Sequence, residues 1–166
     1  EFYSPSKISV KDLLVHNNSI YFSYIKKQKN DCYSTAIAKA NLNLNFLKFY
    51  DFFNPSECLT KKDKFNAHQT GGKITFFKDN KILFTVGEYL RISKQHPSKT
   101  RTFSQNHNSI FGKIITIDLQ SKDYELISVG HRNPQGLYYD KEKNIIYSTD
   151  HGPQGGDEIN INLNPS

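Results

Sequence analysis

The chain has 166 residues, of which 36% are hydrophobic and 13% aromatic, so it can bury one modest core. No apolar stretch approaches the roughly 18 residues that a membrane-spanning helix needs, and we therefore expect no membrane span. The net charge of +6 raises the question of whether the chain binds nucleic acid. However, the lysines form scattered clusters, such as 26–29 and 61–64, beside strand-like or acidic residues. That distribution favours a solvated loop surface and predicts no nucleic-acid partner.

One β-hairpin recurs along the chain. A polar residue followed by Ile, an apolar residue, an aromatic residue and a hydroxyl residue occurs at 19–23, 81–85 and 144–148, with a period of 62 and then 63 residues. Each of these runs follows a turn and an earlier strand-like run. A fixed period with many strands and no long amphipathic helix is typical of a propeller. We therefore predict an all-β fold, an incomplete β-propeller of about three consecutive blades, with hairpins centred near 79–80 and 142–143.

The remaining segments complete this prediction. Residues 41–66 and 89–108 are interpreted as long inserted loops, because they are rich in Asn, Ser, Lys and Pro. At this period the chain holds fewer than three full repeats, whereas closed propellers have four to eight blades. Since Met is absent even at position 1, we expect residues 1–166 to form a single partial domain inside a longer product. Cys32 and Cys58 fit no metal-binding spacing and are interpreted as two isolated residues rather than a disulfide.

Two polar loops flank the last of the recurring strands. Residues 130–137 read Gly-His-Arg-Asn-Pro-Gln-Gly-Leu, and residues 150–158 read Asp-His-Gly-Pro-Gln-Gly-Gly-Asp-Glu. Pro134 stiffens the backbone that presents Arg132 and Asn133, while the glycines of the second loop let backbone groups approach a ligand or cation. The pair predicts a site for an anionic or metal-bound ligand. The alternative is that both are ordinary turns, with His131 and His151 as structural residues.

These two loops resemble the soluble quinoprotein glucose/sorbosone dehydrogenase family, whose members are six-bladed β-propellers that use pyrroloquinoline quinone (PQQ) and calcium. Three further stretches are similar to the family in the same order: Asn-Ala-His-Gln-Thr-Gly-Gly-Lys at 66–73, Val-Gly-Glu at 86–88 and Phe-Gly-Lys-Ile-Ile at 111–115. The resemblance covers roughly residues 65–162, and it implies a partial propeller of this type.

The resemblance also implies a reaction: oxidation of an aldose at its anomeric carbon to a lactone, with hydride passing to PQQ and assistance from Ca²⁺. It implies a sugar substrate, an electron acceptor of unspecified type and a periplasmic or secreted location. The residues to which it assigns roles are His68 and Arg132 in catalysis, Arg132, Asn133, Gln69 and His151 in cofactor binding, the backbone carbonyls of Gly152 and Pro153 in calcium binding, and Asp157 and Glu158 in support of that loop or of a structural calcium.

The sequence departs from the family's pattern in two respects, and two rival functions are compatible with it. Four residues separate His68 from Lys73 where close family variants often have three, so either a bulge absorbs one residue or the histidine is displaced. The family's cationic residues of later blades are not in this chain, which is therefore expected to be inactive alone. The rival functions are a non-catalytic propeller that only binds and a metal-dependent hydrolase, which would use the residues His131, Asp150, His151 and Asp157.

Overall fold

Within residues 9–63, 65–89, 101–152 and 155–165, which the computed structural model describes, twelve β-strands form three antiparallel sheets. The first sheet contains β1 (Val10–His16), β2 (Ser19–Lys27), β3 (Cys32–Asn41), β4 (Tyr50–Phe53) and β5 (Leu59–Thr60). The second contains β6 (Gly71–Phe76), β7 (Lys81–Val86), β8 (Lys113–Asp118) and β9 (Tyr124–Val129). The third contains β10 (Pro134–Asp140), β11 (Ile145–Asp150) and β12 (Glu158–Leu163). The single α-helix of the described part, α1 (Arg101–Gln105), precedes β8.

The three sheets are consecutive blades of an incomplete propeller, which confirms the predicted fold class. Each blade begins with the recurring hairpin, namely β1–β2, β6–β7 and β10–β11. The turns adopt positive φ at polar residues, including Asn17, Asn18, Asp79 and Asn80. Such turns match the right-handed twist of paired strands. The second and third hairpins lie in different sheets, as predicted.

The second blade is buried on both faces because it lies between the other two. Along β7, Ile82 and Phe84 point into the core shared with the first blade, and Leu83 points into the core shared with the third. All three side chains are inaccessible to solvent. Successive strand residues alternate between faces, so a continuous apolar run marks a strand with both faces covered.

Two predictions about the first blade are wrong. Residues 41–66 are not a simple loop, because they contain β4 and β5, which pair with β3. Cys32 and Cys58 form a disulfide, with a Cα–Cα distance of 5.5 Å. The return of β5 explains the bond: Cys32 pairs with Thr60 in the β3–β5 ladder, which brings Cys58 beside it. Of the other predicted loop, 90–100 lie outside the described residues.

The first strands of the blades, β1, β6 and β10, lie side by side. The Asp12 carboxylate on β1 accepts a hydrogen bond from the backbone N–H of Ile74 on β6 at 3.0 Å. Between the second and third blades, the hydroxyl of Thr85 on β7 donates to the carbonyl of Pro134 on β10 at 2.9 Å. In the described part of the chain no helix combines the length and the apolar character required to cross a membrane.

Candidate active site between the second and third blades

Four chain segments meet at one end of the second and third blades. The segments before β6 and after β7 lie at the same end of the second blade because these strands are antiparallel, and the same holds for β10 and β11 in the third. The backbone N–H of Glu88 donates to the carbonyl of Arg132 at 2.8 Å. The side-chain amide of Asn133 donates to the carbonyl of His68 at 3.2 Å. The structure thus brings together residues from both blades.

Asp150 organises the loop that carries Arg132 and Asn133. Its buried carboxylate accepts hydrogen bonds from the backbone N–H of Asn133 at 2.6 Å, from that of Arg132 at 3.1 Å, and from Nδ1 of His131 at 3.1 Å. Nε2 of His131 is in turn 2.9 Å from the hydroxyl of Ser128. A carboxylate that binds successive backbone N–H groups fixes the direction of that backbone.

The Arg132 side chain contacts the segment after β11 and the segment after β7. Its Nη1 donates to the carbonyl of His151 at 2.8 Å and to that of Gly152 at 3.1 Å. Its Nε lies 3.7 Å from Oε1 of Glu88. The side chain is 20% exposed, so the guanidinium is ordered by protein groups and is still reachable by a ligand.

Glu88 is a buried acid beside this guanidinium. Burial raises the pKa of Glu88 to about 7, an effect that Arg132 opposes and that the negative charge of Asp150 reinforces. Within the described residues, Oε1 of Glu88 has no hydrogen-bond partner. An acid with a pKa near 7 exchanges its proton at neutral pH, and Glu88 therefore changes charge next to Arg132 in that range.

His68 lies on an exposed turn whose backbone is held firmly. The Asn66 side chain accepts a hydrogen bond from the backbone N–H of His68 at 3.0 Å, and the carbonyl of Gln69 accepts one from Tyr89 at 2.9 Å. The His68 ring is exposed. The pairing of β6 with β7 shifts register between Gly71 and Ile74, a stretch that overlaps the segment between His68 and Lys73 with the extra residue.

The amide of Asn133 bridges this turn to the third blade. Besides its bond to His68, its Oδ1 accepts a hydrogen bond from the backbone N–H of Gly71 at 3.2 Å. Gly71 has a φ of +61°, and an added Cβ would lie 3.0 Å from both the hydroxyl of Thr85 and the backbone N of Gly87. The turn can therefore approach its neighbours only because glycine occupies this position.

Residues 151–152 and 155–158 lie at the edge of the candidate site. Asp157 accepts a hydrogen bond from the backbone N–H of Gly152 at 3.0 Å and lies 3.6 Å from Nδ1 of His151. A Cβ on Gly152 would lie 1.7 Å from the carbonyl oxygen of Gly156, so only glycine fits this turn. Glu158 begins β12 and is exposed. Pro153 lies outside the described residues.

The four residues of the metal-hydrolase hypothesis occupy two separate pairs. His131 contacts Asp150 in the buried network, whereas His151 contacts Asp157 at the exposed edge. Across the described ranges no group of three or more His, Cys, Asp or Glu side chains is placed to hold a metal ion. The arrangement does not support a metal site built from these side chains.

Comparison with known proteins identifies the family. The sequence profile described as Glucose / Sorbosone dehydrogenase matches residues 7–164. The chain belongs to this family. Over 155 residues, 86% of the chain, it is 26% identical to Aldose sugar dehydrogenase YliI of Escherichia coli (strain K12), and over 128 residues, 64% of the chain, it is 27% identical to Quinoprotein glucose dehydrogenase B of Acinetobacter calcoaceticus.

Solved structures share the fold of this family member. A crystal structure of a glucose dehydrogenase matches 95% of the chain with a TM-score of 0.75 at 24% identity, and that of the apo form of the soluble aldose sugar dehydrogenase of Escherichia coli matches 88% with a TM-score of 0.66 at 22% identity. The chain covers 47% and 43% of those structures. It spans 39% and 26% of the two curated relatives named above.

Sequence reasoning missed the central part played by Asp150. It was considered only as a ligand in the metal-hydrolase hypothesis, whereas the structure makes it the common acceptor of the His-Arg-Asn segment. A signal was present in the hairpin itself: pairing of β10 with β11 sets Asp150 opposite Pro134, next to Asn133. Glu88 belongs to one of the stretches that resemble the family and follows the recurring run at 81–85 as Asp150 follows the run at 144–148, but nothing in the sequence indicated its burial.

Proposed function

We propose that the protein containing this chain is a quinoprotein sugar dehydrogenase that oxidises the anomeric carbon of an aldose to a lactone with PQQ and Ca²⁺. The observation that carries this proposal is the hydrogen bond between Asn133 and the His68 carbonyl, which joins an exposed imidazole to the Arg132 loop of the next blade. This bond brings the backbone of the proposed base, on the second blade, next to the loop of the third blade that carries the proposed cationic binding group. The names of the relatives, a quinoprotein glucose dehydrogenase and an aldose sugar dehydrogenase, agree with this assignment.

The donors at the site suit the proposed cofactors. PQQ is a tricarboxylate, and a partly exposed guanidinium is a strong partner for carboxylate or quinone oxygen atoms. The carbonyls of His151 and Gly152 already converge on one positive group, Nη1 of Arg132. Backbone carbonyls are common calcium ligands, so these two oxygens are the groups that would hold a calcium ion. Pro153 would add the next carbonyl, and Gln69 and His151 would border the cofactor.

Each residue then has a defined task. When bound, PQQ supplies a hydride acceptor and Ca²⁺ supplies positive charge near it. His68 takes the proton of the anomeric hydroxyl, for which an imidazole has a suitable pKa range. Arg132 stabilises negative charge that develops on the acceptor. Asn133 retains a second amide hydrogen for a ligand, because an amide NH₂ carries two and His68 takes one. Asp157 holds the Gly152 backbone, and Glu158 lies beside it as a supporting acid.

The disulfide supports the cellular location that belongs to the same proposal. Disulfides persist in oxidising compartments and are rare in reducing ones. The Cys32–Cys58 bond therefore supports a periplasmic or secreted enzyme. We further propose that residues 1–166 form one partial propeller domain and that additional blades complete the ring and the PQQ pocket.

The decisive experiment uses the intact protein. After loading with PQQ and Ca²⁺, aldoses should reduce an artificial dye, and removal of calcium with a chelator should abolish this activity. Calorimetry with PQQ provides a second readout. Sugar binding without dye reduction by the loaded protein would instead identify a non-catalytic propeller, and failure to bind PQQ would contradict the proposed function.

A further inference from the structure

A second chemically organised group lies behind the Arg132 loop. The hydroxyl of Ser128 on β9 is 2.9 Å from Nε2 of His131, and Nδ1 of His131 is 3.1 Å from Oδ2 of Asp150. The two hydrogen bonds therefore link a hydroxyl, an imidazole and a carboxylate in that order, through opposite nitrogens of one ring. This order and these distances are those by which serine nucleophiles are activated, whatever the fold that carries them.

The surrounding hydrogen bonds assign the proton positions. Oδ2 of Asp150 also accepts the backbone N–H of Arg132, and Oδ1 accepts that of Asn133. Because Asp150 is an acceptor from both backbone groups, the ring nitrogen of His131 that faces it is the donor. In a neutral imidazole the opposite nitrogen, Nε2, is then an acceptor, and Ser128 donates its hydroxyl proton to it. A general base is thus already bonded to the hydroxyl it would deprotonate.

Ser128 borders an open cavity of about 400 Å³ between the second and third blades. Ile114 and Ile146 give the cavity apolar walls, and Asn160 and Asn162 line it from β12. The lining contains no charged side chain. Ligand pockets commonly combine such apolar walls with a few polar groups. A small uncharged molecule with an apolar portion fits this chemistry.

Asn162 lines the same cavity as Ser128 and supplies an amide donor there. Its Nδ2 donates to the carbonyl of Ile127, the residue before Ser128, at 3.3 Å. One hydrogen of the amide remains for another acceptor. An amide donor beside a nucleophile stabilises the oxyanion of acyl transfer.

We propose that Ser128, His131 and Asp150 form an acyl-transfer site that hydrolyses small uncharged esters. Oγ of Ser128 bonds to the ester carbonyl carbon while its proton passes to Nε2 of His131. The ester C–O bond then breaks, and the leaving alcohol takes that proton. Water, deprotonated by the same nitrogen, releases the acid and restores the serine. Asn162 donates to the carbonyl oxygen as it becomes negative, and no redox cofactor takes part.

A fluorophosphonate probe tests this site in the intact protein without added PQQ. The probe should phosphonylate Ser128, as located by peptide mass spectrometry, and Ser128→Ala should abolish the modification. Ser148→Ala is the matched control, because Ser148 lines the same cavity and has no bond to His131 in the described part of the chain. The folded wild type should also hydrolyse p-nitrophenyl acetate at least about 10²-fold faster than Ser128→Ala.

A cysteine variant gives a readout that a structural role for Ser128 would not produce. For Ser128→Cys, the rate of alkylation by iodoacetamide at pH 7 relative to its own rate at pH 10 should be at least about 10-fold higher than the same ratio for Ser148→Cys, because the neighbouring imidazole favours the thiolate. The ratio removes the difference in exposure between the two positions, since Ser148 is buried. Equal ratios would overturn the proposal. So would labelling at another serine, or no labelling of wild-type protein that circular dichroism shows to be folded. In those cases the Ser128–His131 bond serves only to orient Asp150.

Discussion

The two sides of the candidate active site are built differently. On the third blade, Asp150 is 4% exposed and binds three donors, so the Arg132 and Asn133 backbone is fixed from within the protein. On the second blade, the His68 turn is fixed through its backbone, while its ring stands in solvent. The proposed binding side is therefore preorganised by burial, and the side with the proposed base is left exposed.

This contrast predicts which changes affect chemistry and which affect folding. An exposed side chain contributes little to stability but can act on a substrate, whereas a buried hydrogen-bonded carboxylate cannot be replaced without leaving donors unpaired. Glu88 lies between the two sides, since its backbone binds Arg132 and its side chain is buried beside it. Substitutions at His68, Asp150, Glu88 and Asp157 should separate these contributions.

The largest effect is expected from His68→Ala in the intact, cofactor-loaded protein. Turnover should fall by about 10²-fold or more, as expected for loss of a general base, while PQQ affinity stays near that of the wild type. Steady-state dye reduction and PQQ calorimetry measure the two quantities. His107→Ala removes another exposed imidazole and should leave both unchanged. An undiminished rate in His68→Ala would place the base elsewhere.

Asp150→Asn should act on stability. The carboxamide replaces one acceptor oxygen with an NH₂ group, so at least one of the donors from His131, Arg132 and Asn133 is left buried without a partner. We expect the free energy of unfolding to fall by about 3 kcal/mol. Urea denaturation measures this loss as a lower midpoint with an unchanged m-value. Asp157→Asn, an exposed carboxylate of the adjoining loop, is the control, and an equal loss in both variants would contradict the contrast.

The parts of the fold that could be predicted are those specified by residues close together in sequence. The hairpins were predicted because Asp79, Asn80 and their flanking alternation are neighbours in sequence, and turn chemistry and strand period act over a few residues. The segment 41–66 was misinterpreted because β4 has four residues and β5 two, which is too short for a period to show. The disulfide was missed for the same reason, since it depends on the pairing of β5 with β3.

The candidate site was predictable to the extent that its residues are joined by sequence motifs. Pro134 marks the loop that presents Arg132 and Asn133, and the glycines mark the loop that carries Gly152. The contacts between those loops depend on strand register and on burial, which arise only when the blades pack. This is why the acceptor role of Asp150 and the raised pKa of Glu88 were not predicted.

Glu88→Gln tests the burial of Glu88, between the two sides of the site, through the pH dependence of the free energy of unfolding. A raised pKa, from 4.5 to about 7, means that the folded state keeps this proton where the unfolded state has lost it. The free energy of unfolding of the wild type should therefore fall as pH rises from about 4.5 to 7 and change little above that range. Relative to Glu88→Gln, the wild type should lose about 2 kcal/mol between pH 5 and pH 7. Parallel stability curves for the two proteins in urea would show that burial does not shift this group.

The smallest stability effect is expected from Asp157→Ala. Its carboxylate accepts the Gly152 N–H at 3.0 Å, but the side chain is 68% exposed. Water can take over an exposed bond, so the free energy of unfolding should fall by less than about 1 kcal/mol. The Gly152 carbonyl would nevertheless lose its fixed direction, and calcium affinity of the intact protein should fall. Calcium calorimetry tests this, with Glu142→Ala as the control because Glu142 is an exposed acid of the turn between β10 and β11, at the opposite end of that hairpin. A stability loss as large as that of Asp150→Asn would mean that the exposed edge, and not the buried carboxylate, holds the two loops together.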